Sequence, residues 1–164
     1  MKPASIALGS VFLGTVFILA PAGAIQLNEA CDWPRWQIPG GRLVGAGLVL
    51  AGIAVALYCS GLFSRIGRGT PVPIQPPEHL VIAGLYRYSR NPMYVAHVAI
   101  LLGLFLYRGE LSLVLYTAIY MGWVRSWVVW REEPELRRRF GEEYARYTQQ
   151  VSRWLPSRLH GAGD

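Results

Sequence analysis

The chain has 164 residues, of which 52% are hydrophobic and 16% charged, with a formal net charge of +6. About a quarter of the residues in an ordinary soluble domain are charged, so this composition argues against one. Most of the arginines lie outside the apolar runs, which suits an anionic lipid surface and argues against nucleic acid as the partner.

Four apolar runs span about Ala4–Ile25, Leu43–Phe63, Pro92–Tyr107 and Leu111–Trp130. A hydrocarbon core of about 30 Å needs roughly 20 helical residues, which the first, second and fourth runs supply. Lys2, the first run and Ala22-Gly23-Ala24 also look somewhat like a cleavable signal peptide. The length of the run and the spans that follow favour a retained helix. Cys31 lies in a loop and Cys59 in the second run; together they make no disulfide framework and no CxxC pair for zinc or redox chemistry.

The second run carries Gly45, Gly47 and Gly52 among Ala46, Ala51 and Ala54. No βαβ pattern surrounds these glycines, so they read as small residues that let helices approach closely, and not as a dinucleotide loop. From Ser64 to Glu78 the chain holds Gly67, Gly69, Pro71, Pro73, Pro76 and Pro77, which predicts an extended connector. The third run is short and contains His97. Arg108-Gly109-Glu110 alone separates it from the fourth, predicting a tight helical hairpin.

Beyond the fourth run, Leu136, Phe140, Tyr144, Tyr147 and Val151 recur at spacings of 4, 4, 3 and 4. That stripe predicts an amphipathic helix, with Pro134 in its first turn and Trp154 and Pro156 at its end. It either lies on the membrane surface or forms a lid over a site. Arg65, Arg68, Arg87 and Arg90 fall between runs two and three, and Arg131, Arg137, Arg138, Arg139, Arg146, Arg153 and Arg158 follow run four. Arg35 and Arg42 alone lie between runs one and two, and Arg108 in the hairpin. The positive-inside rule then places the connector, the tail and both termini in the cytoplasm. The expectation is a single all-α domain over 1–164: a polytopic membrane protein with about four spans, a cytoplasmic connector at 64–91 and a cytoplasmic amphipathic tail at 131–164.

Polar chemistry gathers in two clusters, Gly84-Leu85-Tyr86-Arg87-Tyr88-Ser89-Arg90-Asn91-Pro92-Met93-Tyr94 and Arg131-Glu132-Glu133. The hairpin brings them to one membrane depth. Gly-x-Tyr-Arg, Arg-Asn-Pro-Met-Tyr, Glu-Glu-x-x-Leu, Phe-Gly-x-x-Tyr and Arg-Trp-Leu-Pro follow in order over about Gly69–Pro156. This ordered set resembles the isoprenylcysteine carboxyl methyltransferases and the related phospholipid and thiol methyltransferases. The resemblance implies a site for S-adenosylmethionine made by Leu80, Val81, Tyr86, Arg90, Asn91, Pro92, Met93, Tyr94, Glu132 and Glu133, with His79 beside them.

The chemistry agrees with that implication. A carboxylate such as Glu132 suits the cofactor's ammonium or hydroxyls, and Arg90 or Arg87 its carboxylate. Tyr86 and Tyr94 offer flat faces with a hydroxyl. Methyl transfer from a sulfonium needs no enzyme nucleophile, only acceptor and methyl carbon in line. A plainer reading assigns the same arginines and tyrosines to headgroup anchoring, and the glutamates to a helix start. Arg125 lies inside run four, where a charge at the bilayer centre costs at least about 2.5 kcal/mol. It either snorkels or, with Arg131, orients the methyl acceptor.

The family pattern is departed from in three places. Asn91 stands for a histidine, Val128 for an arginine one turn before the acidic pair in the members that methylate a prenylcysteine carboxylate, and Ser152 for a proline. The expected acceptor is lipophilic or small: a carboxylate, thiol, amine or lipid headgroup. The rivals are an NADPH-dependent reductase of the sterol-reductase type and a non-catalytic membrane scaffold. No metal site is expected.

Overall fold

The computed structural model describes residues 11, 13–67 and 78–155. Lys2 and the beginning of the first apolar run, the connector residues Arg68 to Pro77, and Pro156 and Arg158 lie outside the described residues. Regular structure among the described residues is helical, apart from one isolated antiparallel bridge between Arg35 and Glu110.

A π-helical turn at Thr15–Leu19 leads into α1, Ala20–Ala30. An exposed segment with Pro34, Pro39 and Gly40 follows, and then α2, Gly41–Leu62, which continues through a second π-helical turn, Phe63–Gly67. No proline interrupts this stretch. Gly41–Gly67 has 27 residues and a mean hydropathy of 2.2 over its most apolar part, with only 17% of that part buried in the fold. At 1.5 Å per residue it reaches about 40 Å, more than a hydrocarbon core. The low burial separates it from the core helix of a soluble protein.

Pro92 opens α3, Pro92–Arg108, in the helical position where a missing N–H costs nothing. Gly109, at φ +85°, ends it in the left-handed conformation. The next helix, α4, Leu111–Trp127, begins two residues later, giving the expected tight connection. Gly41–Gly67 is the described helix long and apolar enough to cross a membrane by itself, and Pro92–Arg108 is apolar but shorter. The expected fourth span is diluted by Ser112, Thr117, Arg125 and Ser126.

The tail helix does not start afresh at Pro134. The chain stays helical from α4 through a π-helical turn, Val128–Glu132, into α5, Glu133–Gln150. Proline has no N–H to continue the regular ladder, and the widened turn just before it relieves that break. Gly141, at φ +49° and ψ −122°, interrupts α5 where the sequence stripe reads as continuous. Only glycine adopts that conformation without strain.

The chain divides into two compact units, Met1–Val55 with Ala96–Gly122, and Ala56–Val95 with Trp123–Asp164. In the first, backbone packs on backbone. A Cβ on Gly45 would stand 2.5 Å from the Gly103 carbonyl oxygen and 2.7 Å from the Tyr107 nitrogen. Glu110 is buried there and meets Arg108 at 3.1 Å and Arg35 at 3.4 Å. The Asn28 amide oxygen accepts from the Ser112 backbone N–H at 3.2 Å. His97 Nδ1 lies 2.8 Å from the Tyr120 hydroxyl, with Phe17 edge-on to the imidazole. In the second unit, Tyr144, Tyr147 and Val151 form a buried cluster with Leu80, Ile82, Leu136 and Phe140 packed against it.

Gly45→Ala is expected to lower stability by about 1–3 kcal/mol, because backbone atoms must move aside. Gly47, which has nothing within 4 Å of its missing Cβ, is the control. Gly47→Ala should leave thermal unfolding in detergent unchanged or raise stability by up to about 1 kcal/mol.

Candidate active site

Every residue of the expected site lies in the second unit. Its approach is the segment from His79 to Asn91. Leu80 packs on the tail cluster, Val81 is buried and His79 is exposed. Gly84, at φ +57°, opens a 3₁₀ turn, Gly84–Arg87, and any side chain there would collide with Tyr58 and Leu62. The turn buries Tyr86, whose ring meets Phe63 edge-on with centroids 5.6 Å apart. The Tyr86 carbonyl accepts a hydrogen bond from the Tyr147 hydroxyl at 2.7 Å, which ties the turn to α5. Burial pushes the Tyr86 and Tyr147 phenols above their ordinary value.

The two adjacent glutamates have different partners. Arg153 grips Glu133 with both ends of its fork, Nε to Oε1 at 2.7 Å and Nη2 to Oε2 at 2.9 Å. Arg90 Nη1 adds a third bond to Oε1 at 2.9 Å and approaches the Tyr144 hydroxyl at 3.5 Å. Burial alone raises the Glu133 carboxyl, but the Arg153 hydrogen bonds and the charges of Arg90, Arg153 and Arg137 outweigh it and hold it below its ordinary value. Glu132 accepts one hydrogen bond, from the Tyr94 hydroxyl at 3.1 Å. Among the described residues no arginine or lysine pairs with it. Burial, with the neighbouring Glu133 charge, raises its carboxyl despite the Tyr94 bond.

Backbone bonds lock the chain beyond α5 onto the same segment. The Arg90 N–H donates to the Ser152 carbonyl at 2.9 Å, and the Arg153 carbonyl accepts from Asn91 Nδ2 at 3.1 Å and Ser89 Oγ at 3.3 Å. At position 91, therefore, the amide serves as a donor, a task that needs no titration. Pro92 is buried and Met93 half-buried at the start of α3. Arg90 Nε is buried and has no partner among the described residues.

The glutamate pair thus gathers Arg90 and Tyr94, with Asn91 joined through the Arg153 carbonyl. His79, Arg125 and Arg131 are exposed, and the Arg131 guanidinium lies over the Trp127 ring at 5.8 Å. Two participants were not among the expected site residues, Arg153 and Tyr144. Arg153 stands in the Arg-Trp-Leu-Pro motif and Tyr144 in Phe-Gly-x-x-Tyr, so the motifs themselves carried the signal.

The family model described as phospholipid methyltransferase matches residues 41–143, from the start of α2 into α5. The chain belongs to the phospholipid methyltransferase family. By family it is therefore a membrane methyltransferase, and the match does not favour a reductase or a scaffold. An uncharacterized protein of Haemophilus influenzae is 38% identical over 63 residues, which cover 38% of this chain and 100% of that one. No solved structure matches the chain.

The unequal partners set opposite stability effects. A carboxyl held low stabilises the fold fully above its unfolded-state pKa and loses that contribution as pH falls through its folded value. Glu133→Gln should therefore destabilise at neutral pH, by about 3–5 kcal/mol as for other broken buried pairs, and should flatten the acid limb of the stability curve. Glu132 has the reverse sign: its contribution is present at low pH and lost as pH rises through the raised value. Glu132→Gln should leave the neutral-pH melting temperature equal or higher. Melting curves across acid to neutral pH for both variants check this.

Proposed function

We propose that the protein transfers a methyl group from S-adenosylmethionine to a lipophilic or small acceptor arriving from the bilayer. The acceptor is a carboxylate of the isoprenylcysteine kind, a thiol, an amine or a lipid headgroup. One observation carries the reading: a half-buried carboxylate, Glu132, kept without a cationic partner among the described residues while its neighbour Glu133 has two. An uncompensated carboxylate costs stability, and a cationic ligand recovers that cost.

The donor set fits the cofactor. Glu132 is the group for the ammonium, with Tyr94 holding its carboxylate in place. Arg90 keeps one buried donor, Nε, without a partner among the described residues, which suits the cofactor carboxylate. When bound, S-adenosylmethionine supplies an electrophilic methyl group. The chain's own task is then to position and to exclude water, because displacement at that carbon needs alignment more than acid or base. Glu133 and Arg153 hold the tail against the Arg90 segment. Leu80 and Val81 supply apolar wall, and His79, Tyr86, Asn91, Pro92 and Met93 complete the proposed surroundings. Arg125 and Arg131, both exposed, suit groups that meet an acceptor coming from the lipid side.

The same reading places four spans in the membrane with the glutamate pair and both termini in the cytoplasm. It draws on the arginine distribution and on the hairpin between α3 and α4.

S-adenosylhomocysteine at about 100 times its dissociation constant should stabilise the detergent-purified protein by roughly 2.7 kcal/mol. Glu132→Gln should abolish that shift while keeping the fold, and NADPH should give none. A thermal shift with NADPH and none with saturating S-adenosylhomocysteine would overturn the reading.

A further inference from the structure

One surface feature extends from Arg131 beyond the part proposed for that residue in the reaction. The indoles of Trp123 and Trp127 stack with centroids 6.0 Å apart and planes 22° apart. The Arg131 guanidinium lies over the Trp127 ring. The three residues are four apart in sequence, so they run up one face of the helix that leads from α4 into the π-helical turn. Trp123 is 46% exposed and the neighbouring Trp130 77%. An indole ladder buried in the fold would read as core, but this one faces outward.

Arg131 pairs with no carboxylate among the described residues. Its guanidinium face is taken up by the indole, which leaves its fork of N–H donors for a ligand. A planar fork of that kind matches phosphate oxygens in pairs. Tryptophan and arginine together, at the end of an apolar helix, are the composition of a headgroup boundary.

We propose that Trp123, Trp127 and Arg131 form a docking strip for an anionic phospholipid of the surrounding leaflet, its phosphate on Arg131 and its glycerol and upper acyl chain along the indoles. The inference rests on the membrane reading above and not on the identity of the cofactor. The occupant is a lipid, since the cation is continuous with an outward-facing aromatic surface. It also fits the excess of positive charge on the chain, +6 overall. The strip ends one residue before Glu132, so an anchored lipid fixes the depth of the turn that carries the glutamates.

The test reconstitutes the full chain in nanodiscs of phosphatidylcholine alone and of phosphatidylcholine mixed with phosphatidylglycerol. Melting temperature should rise with the phosphatidylglycerol fraction. Brominated phosphatidylglycerol should quench tryptophan fluorescence more than brominated phosphatidylcholine, and Trp127→Phe should reduce the difference. Arg131→Gln should weaken the apparent lipid affinity about fivefold, the factor that corresponds to ~1 kcal/mol for one surface cation. Arg131→Lys, which keeps the charge and loses the fork, should fall between. Indifference of the wild type to lipid charge, or an equal response in Arg131→Gln, overturns the strip. So does the same stabilisation from inorganic phosphate, which would mark a free-anion site. A protein that enters neither nanodisc and stays folded in plain buffer overturns the membrane reading and the strip together. The S-adenosylhomocysteine shift, measured separately, is independent of all these outcomes.

Discussion

The grip of Arg153 and Arg90 on Glu133 is the interaction on which the second unit depends. It joins the first turn of α5 to the residues beyond its end and to the segment before α3, three stretches far apart in the chain. A carboxylate left alone at that depth would be strongly unfavourable, and so would two arginines. Together they satisfy one another, and the hydrogen bonds from Asn91, Ser89 and the Arg90 backbone follow from the position this imposes on Ser152 and Arg153. Tyr144 and Tyr147 are buried beneath the same closure. One glutamate is thus committed to architecture, while its neighbour accepts a hydrogen bond from Tyr94 and pairs with no arginine or lysine among the described residues.

This division was not legible in the sequence. Glu132 and Glu133 are the same residue type side by side, and the motif treats them as a pair. Adjacent residues on a helix point about 100° apart, so the environment each enters depends on packing that periodicity does not reveal. Arg153 lies twenty residues beyond Glu133, and the Arg-Trp-Leu-Pro motif that holds it does not say which carboxylate it meets. The kink at Gly141 was hidden for a related reason: the apolar stripe keeps its spacing across it, and a helix can carry a single glycine at a cost of about 1 kcal/mol without breaking. What periodicity and turn chemistry control locally was legible. The α3–α4 connection followed from Arg108-Gly109-Glu110, and the apolar stretch of α2 from its composition. The number of membrane crossings was less so, because α4 mixes apolar residues with Ser112, Thr117 and Arg125.

The two units use different physics. The first relies on missing side chains: Gly45 and Gly103 bring backbones together, a device that works in lipid, where apolar burial offers no gain. The second relies on tyrosines, arginines and carboxylates, groups that suit the boundary with water. The family match covers residues 41–143 and ends before Tyr144, Tyr147 and Arg153, whose closure of the tail the structure describes.

The π-helical turn at Val128–Glu132 has a consequence for how this protein tolerates insertions and deletions. The chain stays helical from Trp127 into Glu133, and a π turn holds about one residue more than the regular i→i+4 ladder. Loss of one residue there is taken up as the turn closes to α geometry. Loss of a second finds no such slack: it turns the residues after it by about 100°, so that Glu133 swings away from Arg90 and the Tyr144 and Tyr147 face from Leu80 and Ile82.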